Sequence, residues 1–418
     1  MKRGLAWILV LMMVLLLAAP AANAEAELTG ELTLSVGNSW LAEDATGEAF
    51  KKAISQYEEL HPGVKITAQG ASQQDIKESF QTAALAGGGV DLVIMDNSGH
   101  AIDLAAMGLL LPLNQFITDE ELESIYQPGP LNSGKFEGVY HSVPWYMDCC
   151  GMYCNTDRLN ELGLTVPTTW TEFETALDKV IGAGYGGIIT YKSAYAFYSY
   201  FYQNGCSVID TTGEAPQVVV DSEAGVEAWN YITRLIGKGA LVESFKEATS
   251  WDKVYESFAN GEATFLLGGD WCKTGIDKIN PNLNYSINCM VEGKQKATIL
   301  GGWTWNINAN TKNPALAYDF VRYITSEACD FVLAPEGKNA ARADFDLDKA
   351  LEGKEVLKPL AEQFPYTMAR PAIINEKTID EIITDAILTV VYGQADAEQS
   401  MKTLAQSLRD NIKDNYGA

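Results

Sequence analysis

Residues 138–173 read GVYHSVPWYMDCCGMYCNTDRLNELGLTVPTTWTEF, and the order of elements within them sets the architecture of the whole chain. A β-rich run opens the stretch, with Pro144 inside it. Proline removes a ladder donor, which is awkward for a central strand and suits a segment passing between two packed bodies. Pro144 to Met147 is therefore read as a crossing. Cys149 to Tyr153 is short and apolar and is expected to be a strand; Asn155 then opens a helical pattern that ends near Leu162-Gly163. Thr168 and Thr169 precede Trp170, with Glu172 within capping distance, so a second helix is expected there.

Upstream, the pattern alternates. Leu32 to Val36 reads as a strand, Gly47 to Leu60 as a helix with Phe50, Ile54 and Tyr57 at helical spacing, and Val64 to Ala68 as a strand. Ser72 to Ala86 reads as a helix stopping at Gly87-Gly88-Gly89, and Val90 to Met95 as a third strand. Such alternation predicts α/β architecture with a mostly parallel sheet covered on both faces. The glycine run precedes a strand and no Gly-Lys-Ser/Thr follows, so it is not a phosphate loop. Ligands of such sheets bind at the carboxyl ends of the strands. Asn38, Trp40 and Asp44 follow the first strand, and Asp96, Asn97 and Ser98 the third. Helix capping explains Asp44 and Ser98 equally well, and Trp40 is equally readable as a surface aromatic.

At the start, Lys2 and Arg3, the apolar run Leu5 to Ala19 and Ala22-Asn23-Ala24 make a secretory signal, 1–24, with cleavage expected after Ala24. The run is shorter than the roughly 20 residues of a bilayer span. No cysteine lies near the cleavage site, so a lipoprotein anchor is not expected, and the mature protein is placed in a periplasm or outside the cell. The formal charge of the 418 residues is −25, and loss of Lys2 and Arg3 makes it −27. That surface repels phosphate backbones and anionic lipid, so nucleic acid is not an expected partner. The length favours two domains over one.

The seven cysteines are Cys149, Cys150, Cys154, Cys206, Cys272, Cys289 and Cys329. Their number is odd and the chain too long to need staples, so most are read as small buried side chains. Cys150 and Cys154 sit roughly 13 Å apart along a strand, too far to share a metal. His61, His100 and His141 have no ligand spacing, and neither metal nor cofactor is expected.

Downstream, Gly186 to Tyr191 reads as a strand, and Tyr195-Ala-Phe-Tyr-Ser-Tyr-Phe-Tyr202 as an aromatic helix that is mostly core. Ser222 to Lys238 is a helix, and Phe258 to Trp271 runs helix, turn, strand, loop. Ile299-Leu-Gly301-Gly302-Trp303-Thr-Trp305-Asn-Ile307 reads as a return strand whose glycines let the backbone approach another surface closely. Lys312 to Ile324, Thr378 to Tyr392 and Ala395 to Ile412 are amphipathic helices. Gln363 to Pro371 is a polar, proline-punctuated crossing, and Arg370 in it is a candidate to face a cleft.

The ordered series Tyr140-x-x-x-Pro144, the strand ending in Asn155, Gly163 and Pro167-Thr-Thr-Trp170 resembles the extracellular solute-binding proteins of sugar ABC importers, the maltose-binding type. It continues through Gly89-Val-Asp91-Leu-Val-Ile-Met-Asp96 with Gly108-Leu-Leu-Leu-Pro-Leu113, through Asn260-Gly-Glu-Ala with Gly269-Asp-Trp271, and through the helix from Lys312. Val90 departs from the usual proline. The resemblance implies a two-lobe periplasmic-binding-protein fold of type II, each lobe a mostly parallel sheet flanked by helices. The lobes are expected at 25–144 with 300–345 and at 147–297 with 365–418, with hinge crossings near 144–147, 297–300 and 345–365. Two lobes joined this way close on a ligand.

The resemblance also implies a carbohydrate ligand, a membrane permease as partner, a monomer, and no catalysis. Sugars need flat aromatics for their C–H faces and carboxylates or amides for their hydroxyls. Trp40, Asp44, Asp96, Asn97, Asp148, Tyr195, Trp271, Gly302, Trp303 and Arg370 are the candidates. Tyr195, Trp271 and Asp148 stand where the family places sugar contacts, and Trp303 is chosen over Trp305 because it is nearer the glycines. A secreted glycoside hydrolase, with paired carboxylates in an aromatic cleft, is the alternative, and a binding protein of the same shape for a polyamine or other cation is a third.

Overall fold

The structure, a computed structural model, describes residues 28–72, 75–97 and 99–417. The expected signal at 1–24 and the candidate Ser98 lie outside the described residues. Strands β1 (Thr29–Gly37), β2 (Gly63–Ala71) and β3 (Leu92–Asp96) alternate with helices α1 (Ala45–Leu60) and α2 (Asp75–Leu85). Helix α1 buries Phe50, Ala53 and Tyr57 at helical spacing, and Asp44 caps it by accepting from the backbone N–H groups of Thr46 and Gly47. These are the elements that apolar periodicity predicts, within two or three residues at each end.

The chain then enters β4 (Ser142–Cys149), breaks at Cys150, and continues as β5 (Gly151–Asn155). The second half supplies β6 (Ile188–Thr190), α3 (Tyr195–Gln203), α4 (Trp251–Ala259), β7 (Phe265–Gly268), α5 (Trp271–Ile279) and β8 (Tyr285–Asn288). It returns along β9 (Thr298–Ile307), adds β10 (Asn339–Ala340) beside β4 and β11 (Thr367–Met368) beside β9, and closes with α6 (Glu376–Val391) and α7 (Ala397–Tyr416).

The larger sheet has seven strands in the order β10-β4-β9-β3-β1-β2, with β11 beside β9, and the smaller has four in the order β8-β5-β7-β6. Both are mixed rather than mostly parallel. In the larger sheet β9 runs antiparallel to both β3 and β4. In the smaller, β5 is antiparallel to β7 and β8, and only β6 with β7 is parallel. The reason is connectivity: β4 and β9 are a there-and-back pair, and they impose opposite directions on the sheets they join.

Two separate hydrophobic cores result. One gathers Leu34, Phe50, Trp145, Trp305 and Phe320, the other Tyr153, Phe173, Phe201, Trp229, Phe265 and Leu408. Strand β4 passes from one to the other along its own length: Tyr146 belongs to the first core and Cys149 to the second. Strand β9 makes the reverse passage between Ile299 and Trp305. The crossing at Pro144 to Met147 is thus an internal strand and not a loop. Proline is tolerated because the ladder is irregular beside it: Trp303 pairs with Tyr146 and Thr304 with Pro144, which leaves Trp145 as the extra residue of a bulge. The third passage lies between Ala340, in the first core, and Leu351, in the second. Gln363 to Pro371 follows that passage rather than making it, and the Tyr202 hydroxyl donates to the Ala369 carbonyl inside the second lobe.

Six of the seven cysteines are buried, Cys289 is exposed, and all are free thiols. Burial pushes the Cys150 thiol well up, so it is not poised as a nucleophile.

Candidate functional site

Between the two cores, where β4 and β9 run side by side, lies a cavity of about 560 Å³. Nine of the ten candidates line it: Trp40, Asp96, Asn97, Asp148, Tyr195, Trp271, Gly302, Trp303 and Arg370. Asp44 does not; its carboxylate is spent on the N-terminus of α1, 3.1 Å from the amides of both Thr46 and Gly47. Trp40 is only 3% exposed, and its ring sits 4.4 Å from that of Trp145, so it belongs as much to the first core as to the cavity wall. Trp303 is half-buried against the same core, whereas Trp305 is fully enclosed in it beside Phe50 and Trp145.

The second lobe contributes a continuous aromatic wall. Tyr191 stacks on Trp251 at 5.5 Å, Trp251 meets Trp271 edge-on at 5.1 Å, and Trp271 lies 5.9 Å from Tyr195. Trp251 and Tyr255, one helical turn apart on α4, also stack. Among these only Tyr195 and Trp271 were legible as site residues; the Trp251-x-x-x-Tyr255 spacing was the available signal for the others. The Tyr195 hydroxyl and the Trp271 indole N–H are buried and make no hydrogen bond among the described residues. Flat faces with such donors match what a sugar ring presents.

The two glycines of β9 shape the floor. A Cβ at position 301 would overlap the Asp148 carboxylate oxygen and stand 2.9 Å from the Tyr195 hydroxyl. Gly302 has φ +137°, and a Cβ there would run into the Tyr146 carbonyl. Its own carbonyl accepts from the Asn97 amide at 2.9 Å, tying the loop after β3 to the crossing strand.

Charge in the cavity is arranged around two buried cations. Lys338, just before β10, reaches Asp270 at 2.8 Å and Glu336 at 3.7 Å, with the rings of Tyr146 and Trp271 flanking its ammonium. Burial alone would lower its pKa, but Asp270 and Glu336 outweigh burial and hold the ammonium above its usual range. Arg370 lies 3.3 Å from Glu376 and 3.4 Å from Asp380 and 5.3 Å from the Tyr195 ring. Asp148 has no hydrogen bond or ion pair with any described residue; burial and then Asp270 push its carboxyl up to about 7, against the pull of Lys338. His100 is 3.6 Å from Asp96, and burial lowers its pKa in spite of that carboxylate, so the ring is held neutral. No group of three metal-ligating side chains exists among the described residues.

A family model for bacterial extracellular solute-binding proteins matches residues 42–328. The chain belongs to that family. This solute-binding protein is 22% identical over 376 residues to the galactooligosaccharide-binding protein of Bacillus subtilis, covering 87% of this chain and 86% of that one. It is 25% identical over 331 residues to a probable ABC transporter-binding protein of Deinococcus radiodurans, with 70% and 74% covered. Among solved structures, the GacH receptor of Streptomyces glaucescens, described unliganded and with acarbose, superposes with a TM-score of 0.80 at 22% identity, over 93% of this chain and all of that one. A cyclo/maltodextrin-binding protein bound to maltotetraose gives 0.76 at 17% identity, over 93% and 99%. The solute-binding protein therefore has the two-lobe fold of the type II periplasmic binding proteins.

Proposed function

We propose that the protein captures a mono- or oligosaccharide in the interlobe cavity, closes over it, and delivers it to the membrane permease of an ABC importer. The observation that carries the reading is the aromatic wall Tyr191-Trp251-Trp271-Tyr195 facing Trp303 across a cavity that also holds Asp96, Asn97 and Asp148. The family membership and the sugar-binding relatives support it. The lobes move about three passages, near Met147, near Leu300 and between Ala341 and Ala350. The leader at 1–24 is cleaved and the mature chain works as a monomer outside the cytoplasmic membrane. Catalysis plays no part.

The test is a thermal-shift screen of the chain from Glu25 onward against mono- and oligosaccharides, with every mixture assayed for new reducing ends. A ligand at a hundred times its Kd stabilises the native state by about 2.7 kcal/mol, readily seen as a raised midpoint. A sugar that raises the midpoint and stays intact supports the reading. A hydrolase is the second reading, favoured by one observation: Asp148 sits in the cavity with a carboxyl near 7, where a general acid would stand. New reducing ends would put it first.

A further inference from the structure

The cavity wall carries four carboxyl side chains, Asp96, Asp148, Glu336 and Asp380, and two cations, Lys338 and Arg370. Both cations are already engaged by carboxylates, and each is paired in part with one that stands outside the lining, Lys338 with Asp270 and Arg370 with Glu376. They are also wedged against the rings of Trp271 and Tyr195. An anionic ligand would have to compete for them. Asp148 is the opposite case. It is 6% exposed, reaches the cavity past the missing side chain of Gly301, and has no hydrogen bond or ion pair of its own. Beside it the Tyr195 hydroxyl makes no bond within the described protein either.

We propose that the saccharide taken by this cavity carries a cationic amino group, which sits against Asp148 while aromatic faces hold the ring. The inference rests on the sugar-binding reading above and narrows it from neutral sugars to amino sugars. A buried carboxylate without a partner is costly, and a ligand ammonium supplies the charge-assisted hydrogen bond that no protein group gives it. The groups facing Asp148 are Asp270 and Asp96, which repel its negative charge, and Lys338 and Arg370, which are held by other acids. Their combined effect leaves the carboxyl easily protonated in the empty protein, and an ammonium would favour its ionised form. Uronic acids and sugar phosphates, by the same arrangement, are rejected.

The experiment compares ligands that differ by one group. Calorimetric titrations of the chain from Glu25 onward use the pairs glucosamine and glucose, galactosamine and galactose, mannosamine and mannose, and glucosamine disaccharide and cellobiose. Glucuronate, galacturonate and spermidine complete the set, at slightly acid pH so that the amines are charged. The expected result is that at least one amino sugar binds about tenfold or more tightly than its hydroxyl twin, and that Asp148→Asn brings that ratio close to one. An equal affinity within every binding pair, or a preference for a uronate, overturns the proposal and leaves the sugar reading standing. Binding of no saccharide in the set overturns the amino-sugar proposal, and binding of spermidine alone overturns both. The wild-type ratios decide even if the variant fails to fold.

Discussion

Replacing Asp148 by asparagine should reverse part of the pH dependence of stability. The folded carboxyl titrates near 7 and the ordinary value is 3.8. Between those values the folded protein holds a proton that the unfolded chain has released. Stability therefore falls as pH rises from about 4 to about 7 and is level above, the reverse of a carboxylate held by a cation. The difference of about three in pKa, at about 1.36 kcal/mol each, comes to about 4 kcal/mol. With an unfolding entropy of about 2.1 cal/mol/K per residue, that is about 5 °C in Tm for a chain of this size. The amide of Asp148→Asn does not ionise, so scanning calorimetry of the ligand-free proteins should show the variant gaining about 5 °C on the wild type between acid and mildly alkaline pH. Glu376 and Asp380, whose buried carboxyls are also pushed up, titrate in both proteins and cancel in the difference. Parallel curves across that range would refute the reasoning.

Lys338→Met leaves the buried Asp270 side chain without its ion-pair partner and should lower stability by about 3–5 kcal/mol, measured by urea unfolding. Gly301→Ala places a methyl group on the Asp148 carboxylate; the expected outcome is a loss of sugar affinity of about tenfold or more with an unchanged circular dichroism spectrum, and unchanged affinity would mean the carboxylate is not a contact. Asp44→Ala removes the cap of α1 and should cost about 1 kcal/mol while sugar affinity, by titration, stays as it was.

Elements whose apolar spacing is local were legible in the sequence. Helix α1 with Phe50 and Tyr57 and the alternation around β1, β2 and β3 follow from periodicity, and Gly301-Gly302 marked the crossing strand because only a close approach needs both. What escaped was set by tertiary pairing. The direction of β5 against β7 depends on which partner the strand meets, and nothing in its residues records that. The conspicuous Pro365 and Pro371 draw the reading of the third crossing to Gln363–Pro371, whereas the change of core falls between Ala340 and Leu351, overlapping the start of the 345–365 span, and Leu351, Leu357 and Leu360 enter the second core on short turns without periodicity. Lys338 becomes a site residue only because β10 pairs with β4, and a lysine beside a two-residue strand gives no warning of it. Asp44 illustrates the converse: a carboxylate at a strand end was equally readable as a ligand contact or a cap, and the backbone claimed it.

The bulged pair β4 and β9 has a mechanical consequence. Two independent tethers would let the lobes slide, tilt and twist separately. These two are hydrogen-bonded to each other from Cys149–Leu300 to Ser142–Asn306, so neither can shift lengthwise without breaking the ladder. The shared ladder opposes sliding, so rotation of the lobes about the paired strands is the motion that it leaves open. Closure of the proposed kind would then be a rotation about this pair together with the third passage, and a permease sensing the angle between the lobes would read whether the cavity is filled.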